Sequence, residues 1–408
     1  MPTRSTSPAR LSPANDATRP DLLERCRAFT APGELRAAGL YPYCRPAQSG
    51  PEPISTVEAR PVVMFGANNY LGLATDPRVV RAAAEALVEY GVGTTGSRIL
   101  NGTLDVHLRL EAALARFQGR DGAVAFSVGY LANLGAISAL CGPGDLVLLD
   151  RLAHASQVDG CRLAGVRVQR FRHNDVAHLE RLLRAAPGRP TLVAVDGVYS
   201  MDGDLAPLPD LVEVCRRHGA RLLVDDAHGL GVFGATGRGV AEHFGVEREI
   251  DVLIGTFSKS LGTVGGFMVA DAAVVEYVRH LARPFIFTAS LPAPLAAATL
   301  AALRIIEEEP ERRARLWRNT GRLQAGLRAA GFDIGGTVSP IVPIRIGDQA
   351  RTFAMWQHLS RQGVYVSPIL PPAVPAGRCI LRTALMASHT PEQIDRLVAA
   401  LQEADGEA

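Results

Sequence analysis

The sequence predicts an α/β fold in which a large domain with a mostly parallel central sheet precedes a smaller C-terminal α+β domain. From about residue 60, short runs of β-branched residues alternate with segments of helical periodicity, which is typical of parallel strands joined by crossover helices. The chain has 408 residues, of which 47% are hydrophobic, so it can bury a sizeable core. Polar residues directly follow several of the predicted strands, where open α/β sheets bind their ligands.

The predicted elements follow in chain order. Six short apolar runs are predicted to be the strands of the large domain, at residues 123–126, 146–149, 166–168, 192–195, 222–224 and 252–254. A helical segment from about residue 293 to 328 is expected to leave that domain, and strands near 341–346 and 363–366 are expected in the smaller one. We therefore expect an N-terminal arm over 21–65, a large domain over 66–300 and a small domain over 301–408.

The N-terminus and the bulk composition argue against several classes of function. Residues 1–20 are rich in Pro, Ser, Thr, Ala and Arg and lack the apolar stretch of a secretory signal, so they are expected to form a disordered tail. The formal net charge is only +2, and no basic run is interleaved with aromatic residues, which argues against a nucleic-acid partner. No apolar stretch is long enough to span a bilayer. The six cysteines show no C-x-x-C spacing, which favours reduced thiols and a cytoplasmic location.

Lys259 is the only lysine in the chain, although lysine and arginine together number 43. In a chain with this bias towards arginine, arginine stands wherever only a positive charge is needed. The one lysine that remains therefore requires a chemical explanation. Arginine stays protonated and cannot form an imine, whereas a lysine amine with a lowered pKa can attack an aldehyde. We therefore expect Lys259 to hold pyridoxal phosphate as a Schiff base.

The residues around Lys259 suit a phosphorylated aldehyde. Thr256 and Ser258 follow a predicted buried strand, and their hydroxyls can donate hydrogen bonds to phosphate oxygens. Gly129 and Tyr130 lie between a predicted strand and a helix, so their backbone N–H groups can bind an anion at the helix N-terminus. These four residues are predicted to bind the phosphate.

A second group of polar residues is predicted to hold the cofactor ring. Asp225 ends a predicted strand and can pair with the protonated pyridine nitrogen that makes the cofactor an electron sink. At ~4 Å and an effective dielectric constant of ~20, such a pair gains about 4 kcal/mol. Asp226 is expected to face away and to be structural. His228 and Ser200 are candidates for hydrogen bonds to the phenolic oxygen, and His154 is a candidate for stacking on the ring.

A metal site and a nicotinamide nucleotide site are two alternatives that the residue spacing and the neighbouring elements do not support. A metal could use His154, His228 and Asp225, but no pair shows a recognised metal-ligand spacing, so no metal is expected. Residues 229–234 match the nucleotide-binding pattern G-x-G-x-x-G, but the glycines continue to residue 239 instead of opening a helix. A second match at 91–96 follows a helical segment instead of a strand. A nicotinamide site is therefore not expected.

Together, these motifs resemble those of the α-oxoamine synthases, a branch of the fold type I pyridoxal phosphate-dependent transferases. The matching stretches are 68–73, 96–98 with His107, 129–130 with Asn133, 154–156, 200–204, 225–229, 256–259 and 381–382. The resemblance implies that Lys259 is the Schiff-base lysine, that His154 stacks on the ring, and that Asp225, His228, Ser200 and Thr256 hold the cofactor. It also implies an obligate homodimer with shared active sites, in which Thr288 and Ser290 reach the partner's phosphate.

The family reaction condenses a small amino acid with an acyl thioester and releases carbon dioxide. The resemblance implies catalytic roles for Lys259, His154, Asp225 and His228. Arg382 is expected to clamp the carboxylate of the amino acid with help from Asn69, and the freed Lys259 amine is expected to take the α-proton. Residues 41–43 and 91–98 look most like those of serine palmitoyltransferases, which favours serine as the amino acid.

Several alternatives stay open at this point. Glycine, alanine or another small amino acid could replace serine, and the thioester could be carried by coenzyme A or by a separate acyl carrier protein. An aminotransferase on the same fold would need an amino acceptor and would release no carbon dioxide. A catalytically silent subunit of a heterodimer is the third class, and the presence of Lys259 argues against it.

Overall fold

The computed structural model describes residues 23–407. The predicted tail over residues 1–20 lies outside these residues. The chain divides into two compact units, one up to Cys44 and one from Arg45 onwards. The described part of the first unit contains the short helices α1 (Glu24–Arg27) and α2 (Ala31–Ala37).

The second unit contains the elements that build the sheets and the helical layers around them. The strands are β1 (Ile54–Val57), β2 (Arg60–Met64), β3 (Gly122–Phe126), β4 (Leu146–Asp150), β5 (Arg167–Phe171), β6 (Thr191–Asp196), β7 (Arg221–Asp225), β8 (Val252–Thr256), β9 (Gly266–Ala270), β10 (Ile341–Gly347), β11 (Val364–Tyr365), β12 (Ser367–Ile369) and β13 (Cys379–Ala384). The helices are α3 (Pro77–Tyr90), α4 (Asp105–Phe117), α5 (Gly129–Leu140), α6 (Ala155–Ala164), α7 (Val176–Arg184), α8 (Leu208–His218), α9 (Val240–Phe244), α10 (Ala272–Leu281), α11 (Arg283–Ile286), α12 (Ala293–Glu308), α13 (Pro310–Ala329), α14 (Gln349–Arg361) and α15 (Pro391–Glu407).

The central sheet confirms the predicted α/β fold with a mostly parallel sheet. Among residues 45–407 it has seven strands in the order β3-β9-β8-β7-β6-β4-β5, and the pairs from β5 to β8 are all parallel. All six predicted strands are present. The prediction missed β9, which is antiparallel to both of its neighbours. Only a turn of residues 257–265 separates β9 from β8, so the alternation of strand and helix is broken there and gives no signal.

The strand register brings the polar ends of the parallel strands to one edge of the sheet. Asp196 at the end of β6 lies opposite Asp225 at the end of β7, and Asp225 lies opposite Ile254 in β8. The strands β4, β6 and β8 are buried along their whole length, as expected for a parallel sheet covered on both faces. The apolar runs therefore supply the core, and the residues that end them form one edge.

The C-terminal region builds a second, antiparallel sheet in the order β10-β13-β12. Arg382 lies on the middle strand, β13, opposite Pro343 and Ser367. The strand predicted near 363–366 is the short β11, which pairs with β2 from the other end of the chain. The predicted boundary between a large and a small domain at residue 300 stays a prediction.

The helical segment predicted from about 293 to 328 is two helices. It is interrupted between α12 and α13 at Pro310, because proline lacks an N–H donor and fits only the first turn of a helix. Within residues 23–407, no helix combines the length and apolarity that crossing a membrane would need.

Candidate active site

A cavity of about 260 Å³ opens at the carboxyl edge of the central sheet. Most of the predicted site residues line it: Gly129, Tyr130, His154, Ser200, Asp225, His228, Thr256, Ser258 and Lys259. Residues predicted from motifs spread over 130 positions of the chain therefore meet in one place. Arg382 lies beside this group, whereas Asn69, Thr288 and Ser290 are not among the lining residues.

Lys259 lies in the turn that follows β8, three residues beyond Thr256. Burial lowers the pKa of its amine, the carboxylates of Asp225 and Asp196 oppose that effect, and the resulting pKa is about 8. An amine with this pKa is neutral in a substantial fraction of molecules near neutral pH, and the neutral form is the nucleophile and the base. The structure thus places the single lysine where its amine is reactive.

Asp225 is buried and held by two donors. Its Oδ2 accepts a hydrogen bond from Asn133 Nδ2 at 2.6 Å, and its Oδ1 accepts one from the backbone N–H of Ala227 at 3.0 Å. Asp226 faces away from the cavity, as predicted: its Oδ2 accepts a hydrogen bond from the backbone N–H of Val240 at 2.7 Å. Burial raises the pKa of Asp226 to about 7.

Tyr70 orients the His228 ring through a hydrogen bond at Nδ1. The hydroxyl of Tyr70 lies 2.7 Å from Nδ1 of His228, and both side chains are buried. Burial and the positive charges of Lys259 and Arg382 hold the pKa of His228 well below its usual value, so the ring is neutral. When Tyr70 donates to Nδ1, the proton of the imidazole lies on Nε2, which is then a donor.

The predicted phosphate-binding residues meet at the N-terminus of α5. No side chain among the described residues caps this helix. Thr256 Oγ1 lies 2.9 Å from Ser258 Oγ and donates to the carbonyl of Gly265. A Cβ at position 129 would lie 2.7 Å from Thr256 Oγ1, so only glycine allows the helix to approach the hydroxyls this closely. Hydroxyls and free helix N–H groups form an anion site.

His154 ends the loop after β4 and caps α6, where its Nδ1 lies 2.7 Å from Ser156 Oγ. Its backbone N–H and the Gln157 side chain both donate to Oδ1 of Asp196, at 3.2 and 2.6 Å. Burial, with the nearby Asp225 carboxylate, raises the pKa of Asp196 well above its usual value. Asp196 therefore fixes the segment that carries His154.

Arg382 reaches from β13 towards the cavity edge. Its Nε donates to the carbonyl of Ser200 at 2.6 Å, and both of its terminal nitrogens lie 3.2–3.3 Å from Asn68 Oδ1. Asn69 is engaged elsewhere, since its amide donates to the carbonyl of Pro51 and accepts from the N–H of Ala74. The structure thus places Asn68, and not Asn69, against the guanidinium; the role of Asn69 stays a prediction.

The segment with Thr288 and Ser290 packs against the loop after α3. Ser290 donates to the carbonyl of Gly96 through both its backbone N–H and its hydroxyl. His107 fixes the same segment, because its Nε2 lies 2.6 Å from the carbonyl of Leu291. The segment is therefore firmly held, and the Ser127 hydroxyl, next to the cavity-lining residue Val128, donates to the carbonyl of Ala289.

Sequence reasoning gave no role to several residues that the structure brings to the site. Asn133 lies one helical turn after Gly129, so its i, i+4 spacing was a usable signal. Asp196 directly follows a predicted strand, and Asn68 and Tyr70 lie in the matching stretch 68–73. Their roles could not be predicted, because each acts through a partner that is distant in sequence. The glycines of residues 229–239 lie in turns before α9 begins at Val240, which is the context that the sequence predicted.

Comparison with known proteins places the chain among enzymes. A family model described as aminotransferase class I and II matches residues 60–401. The serine palmitoyltransferase of Sphingobacterium spiritivorum is 45% identical over 378 residues, 92% of this chain and 95% of that protein. The serine palmitoyltransferase of Caulobacter vibrioides is 50% identical over 345 residues, 84% and 85% of the two chains. The 8-amino-7-oxononanoate synthase of Symbiobacterium thermophilum is 43% identical over 368 residues, 90% and 94% of the two chains.

Solved structures agree with these sequence matches. The serine palmitoyltransferase of Sphingomonas wittichii superposes with a TM-score of 0.92 at 43% identity, covering 95% of this chain and 99% of that one. A serine palmitoyltransferase with its pyridoxal phosphate internal aldimine matches equally well, with the same TM-score, identity and coverage. This chain therefore belongs to the aminotransferase class I and II family, within its pyridoxal phosphate-dependent α-oxoamine synthase branch.

Proposed function

We propose that this protein condenses a small L-amino acid, with serine favoured, with an acyl thioester to give an α-aminoketone, carbon dioxide and a free thiol. The observation that carries the proposal is that Lys259, Asp225 and His228 line one cavity while the Arg382 guanidinium lies at its edge. The similarity to serine palmitoyltransferases over most of the chain supports serine as the amino acid.

The residues present fit pyridoxal phosphate. Thr256, Ser258 and the uncapped N-terminus of α5 suit the phosphate, and the reactive amine of Lys259 suits the aldehyde. Asp225 would pair with the pyridine nitrogen, His228 and Ser200 with the phenolic oxygen, and the His154 ring would stack on the cofactor. When bound, the cofactor supplies an electron sink for negative charge at Cα of the amino acid.

Arg382 is proposed to bind the carboxylate of the amino acid. A guanidinium has five N–H donors in a planar fork, which matches the two oxygens of a carboxylate. Ser200 O and Asn68 Oδ1 hold this fork from behind, so it is oriented before the substrate arrives. Fixing the carboxylate fixes the direction of the bonds at Cα, which selects the bond that breaks.

Lys259 is proposed to move the α-proton. With a pKa of about 8, its amine is both neutral often enough to accept a proton and basic enough to hold it. The same amine, once protonated, can return a proton to Cα after carbon dioxide has left. Neutral His228, positioned by Tyr70, would donate a hydrogen bond from Nε2 to the phenolic oxygen and take no part in these transfers.

The proposal extends to a cytoplasmic homodimer with shared active sites. Thr288 and Ser290 do not line this chain's own cavity, which supports the expectation that they reach the partner's phosphate. Exposed apolar side chains on α3 and the loop after it, including Val88, Val92 and Leu100 at 80–89% exposure, support an interface with a second copy of the chain. The cysteines are free thiols, which supports a reducing compartment.

The direct test supplies the purified enzyme with single amino acids and a panel of acyl thioesters, on coenzyme A and on acyl carrier protein. Carbon dioxide and free thiol are measured together. We expect both products in equal amounts, with serine the best amino acid, and we expect Arg382→Lys to raise the KM for serine by about tenfold or more, because lysine cannot form the bidentate contact.

Two outcomes would contradict the proposal. Transfer of the amino group to an oxo acid without carbon dioxide would indicate an aminotransferase. An Arg382→Lys enzyme with an unchanged KM for serine would remove the proposed role of Arg382. Activity with glycine or alanine above that with serine would correct the amino acid and leave the reaction class unchanged.

A further inference from the structure

A hydrogen-bonded network outside the cavity joins the end of β5 to the segment after β6. Its Asp150 is fully buried, whereas the side chains of His173 and Asp204 are 22% and 27% exposed. His173 lies two residues beyond β5, with its Nδ1 3.1 Å from Asp150 Oδ1 and its Nε2 2.8 Å from Asp204 Oδ2. Asn174 runs parallel to it: its backbone N–H donates to Asp150 Oδ2, and its side chain donates to Asp204 Oδ2 and to the carbonyl of Leu205. Two adjacent residues thus tie one loop to the end of β4.

The tied segment, residues 197–206, is called the Ser200 loop below. It is a compact turn, closed by hydrogen bonds from Tyr199 N–H to Asp204 O and from Ala206 N–H to Gly197 O. Its tip packs against the start of β10, where a Cβ at position 203 would lie 2.4 Å from the carbonyl of Ile341. The loop is therefore closed on itself, and it is held at its tip and at Asp204.

The Ser200 loop contacts Arg382 directly. The carbonyl of Ser200 accepts the Nε–H of Arg382 at 2.6 Å, four residues from the His173 contact at Asp204. Because the bond involves Nε, a shift of the loop turns the plane of the guanidinium. The position of the loop thus controls the donors that Arg382 presents.

The bridge between the two carboxylates requires a charged imidazole. A neutral imidazole has one N–H donor, whereas the protonated ring has two, and here each ring nitrogen faces a carboxylate oxygen. Burial lowers the pKa of His173, but the hydrogen bonds to Asp150 and Asp204 outweigh it and raise the pKa to about 9. The ring of Tyr199 packs against the imidazole in a T-shaped arrangement, with 4.4 Å between the ring centroids.

We propose that His173 is a positioning residue: as an imidazolium between Asp150 and Asp204 it fixes the Ser200 loop and, through the Ser200 carbonyl, the orientation of Arg382, and thereby sets the affinity for the carboxylate of the amino acid. This inference rests on the proposed function in one respect, namely that Arg382 binds that carboxylate.

The test compares His173→Gln with the matched control His280→Gln, a histidine on the exposed face of α10. Serine binding is measured without thioester, from the change in cofactor absorbance, and kinetics give KM and kcat separately. We expect His173→Gln to weaken serine binding about ten- to a hundredfold, the scale of a small misplacement in a binding site, with cofactor affinity and the KM of the thioester unchanged. We expect His280→Gln to match the natural enzyme.

The pH profile distinguishes this role from simple loss of structure. The charged groups facing His173 are Asp150 from β4 and Asp204 from the Ser200 loop, with Tyr199 and Asp196 behind them. Serine binding to the natural enzyme is expected to weaken as pH rises through about 9, where the bridge loses one donor. In His173→Gln, the weakening of serine binding near pH 9 that is due to His173 is expected to be absent. The ionisation of serine itself affects the natural enzyme and the variant equally.

Hydrogen exchange of the cofactor-free protein gives a readout that needs no activity. Peptides covering residues 197–206 are expected to exchange faster in His173→Gln and to exchange normally in His280→Gln. If His173→Gln fails to fold, Asp204→Asn removes the charge at the other end of the same bridge and is expected to show the same effects.

A double-mutant cycle with Arg382→Lys decides whether His173 acts through Arg382. In the Arg382→Lys background, His173→Gln is expected to have little further effect on serine binding. Serine affinity within about twofold of the natural value in His173→Gln, or an equal loss in both backgrounds, would overturn the inference. If Arg382→Lys alone leaves serine binding unchanged, the proposed role of Arg382 fails. Unchanged hydrogen exchange of residues 197–206 in His173→Gln would separately show that His173 does not fix the Ser200 loop.

Discussion

At the scale of single residues, the site depends on how neighbours set the protonation of Lys259. Burial lowers the pKa of the Lys259 amine, and the carboxylates of Asp225 and Asp196 raise it again in part. The resulting pKa of about 8 suits an amine that first attacks an aldehyde and later accepts a proton. Arginine could supply neither function, which explains why a chain so rich in arginine retains one lysine.

The pKa of Lys259 has a direct kinetic consequence. When pyridoxal phosphate is added to the cofactor-free protein, we expect the rate of reconstitution to rise with pH and to reach half its maximum near pH 8, because only the neutral amine attacks the aldehyde. Stopped-flow absorbance measures this rate. A short lysine peptide serves as the control, with a midpoint near the ordinary value of 10.5; the same midpoint in the protein would show that the amine is not perturbed.

Sequence reasoning identified the residues that line the cavity better than the residues that support them. Lys259, Asp225 and Thr256 end strands or follow them closely, so their chemistry and their position are both visible locally. Tyr70 and His228 are hydrogen-bonded but lie 158 positions apart in the sequence, so no local sequence pattern predicts their contact. Supporting contacts arise from the fold as a whole, which is why they could not be predicted.

At the scale of elements, the close approach of α5 to the turn after β8 forms the proposed phosphate site. The N-terminus of α5 meets Thr256, and Gly266 at the start of β9 presses on the backbone of Gly129 from the other side. A Cβ at 266 would lie 2.4 Å from Cα of Gly129. Two glycines thus allow a helix N-terminus and two strands to converge at the proposed phosphate site.

Gly129→Ala tests this convergence. The added methyl group would lie 2.7 Å from Thr256 Oγ1, so the helix or the hydroxyl must shift. Overpacking of this kind costs about 1–3 kcal/mol, and we expect cofactor affinity to fall by roughly ten- to a hundredfold. Equilibrium titration of the cofactor measures the loss. Gly142→Ala is the control, since a Cβ there has open space, and equal losses in both variants would reject the explanation.

The elements that were predicted correctly share a local signature, and those that were missed lack it. The parallel strands of the central sheet are apolar runs flanked by helical periodicity, and each was found. The strand β9 follows β8 without a helix, and β13 carries Arg382 and Thr383 within a buried strand. A pattern based on alternation and apolarity could not find either of these two strands.

At the scale of the molecule, Glu111 joins parts of the chain that the sequence keeps apart. Its Oε1 accepts hydrogen bonds from Arg98 at 2.9 Å and from the backbone N–H of Ala125 in β3, and its Oε2 contacts Arg279 of α10 at 3.2 Å. Both Arg98 and Glu111 are buried. One carboxylate thus ties α4, the central sheet, α10 and the loop before α4 together.

We expect Glu111→Gln to lower the free energy of unfolding by about 3 kcal/mol or more, because the change leaves the Arg98 charge buried without its partner. Urea denaturation followed by circular dichroism measures this loss. The control is Glu213→Gln, which removes exposed ion pairs with Arg216 and Arg217 and is expected to change stability little. Equal stability of the two variants would show that the buried network does not hold the fold together.

The central claim, that Lys259 holds pyridoxal phosphate covalently, is tested most directly by borohydride reduction of the purified enzyme followed by peptide mass spectrometry. Because the chain contains a single lysine, the assignment is unambiguous. The expected result is a pyridoxyl adduct on the peptide that contains Lys259 and no such adduct in Lys259→Ala. An adduct confined to another position, or full activity in Lys259→Arg, would contradict the claim.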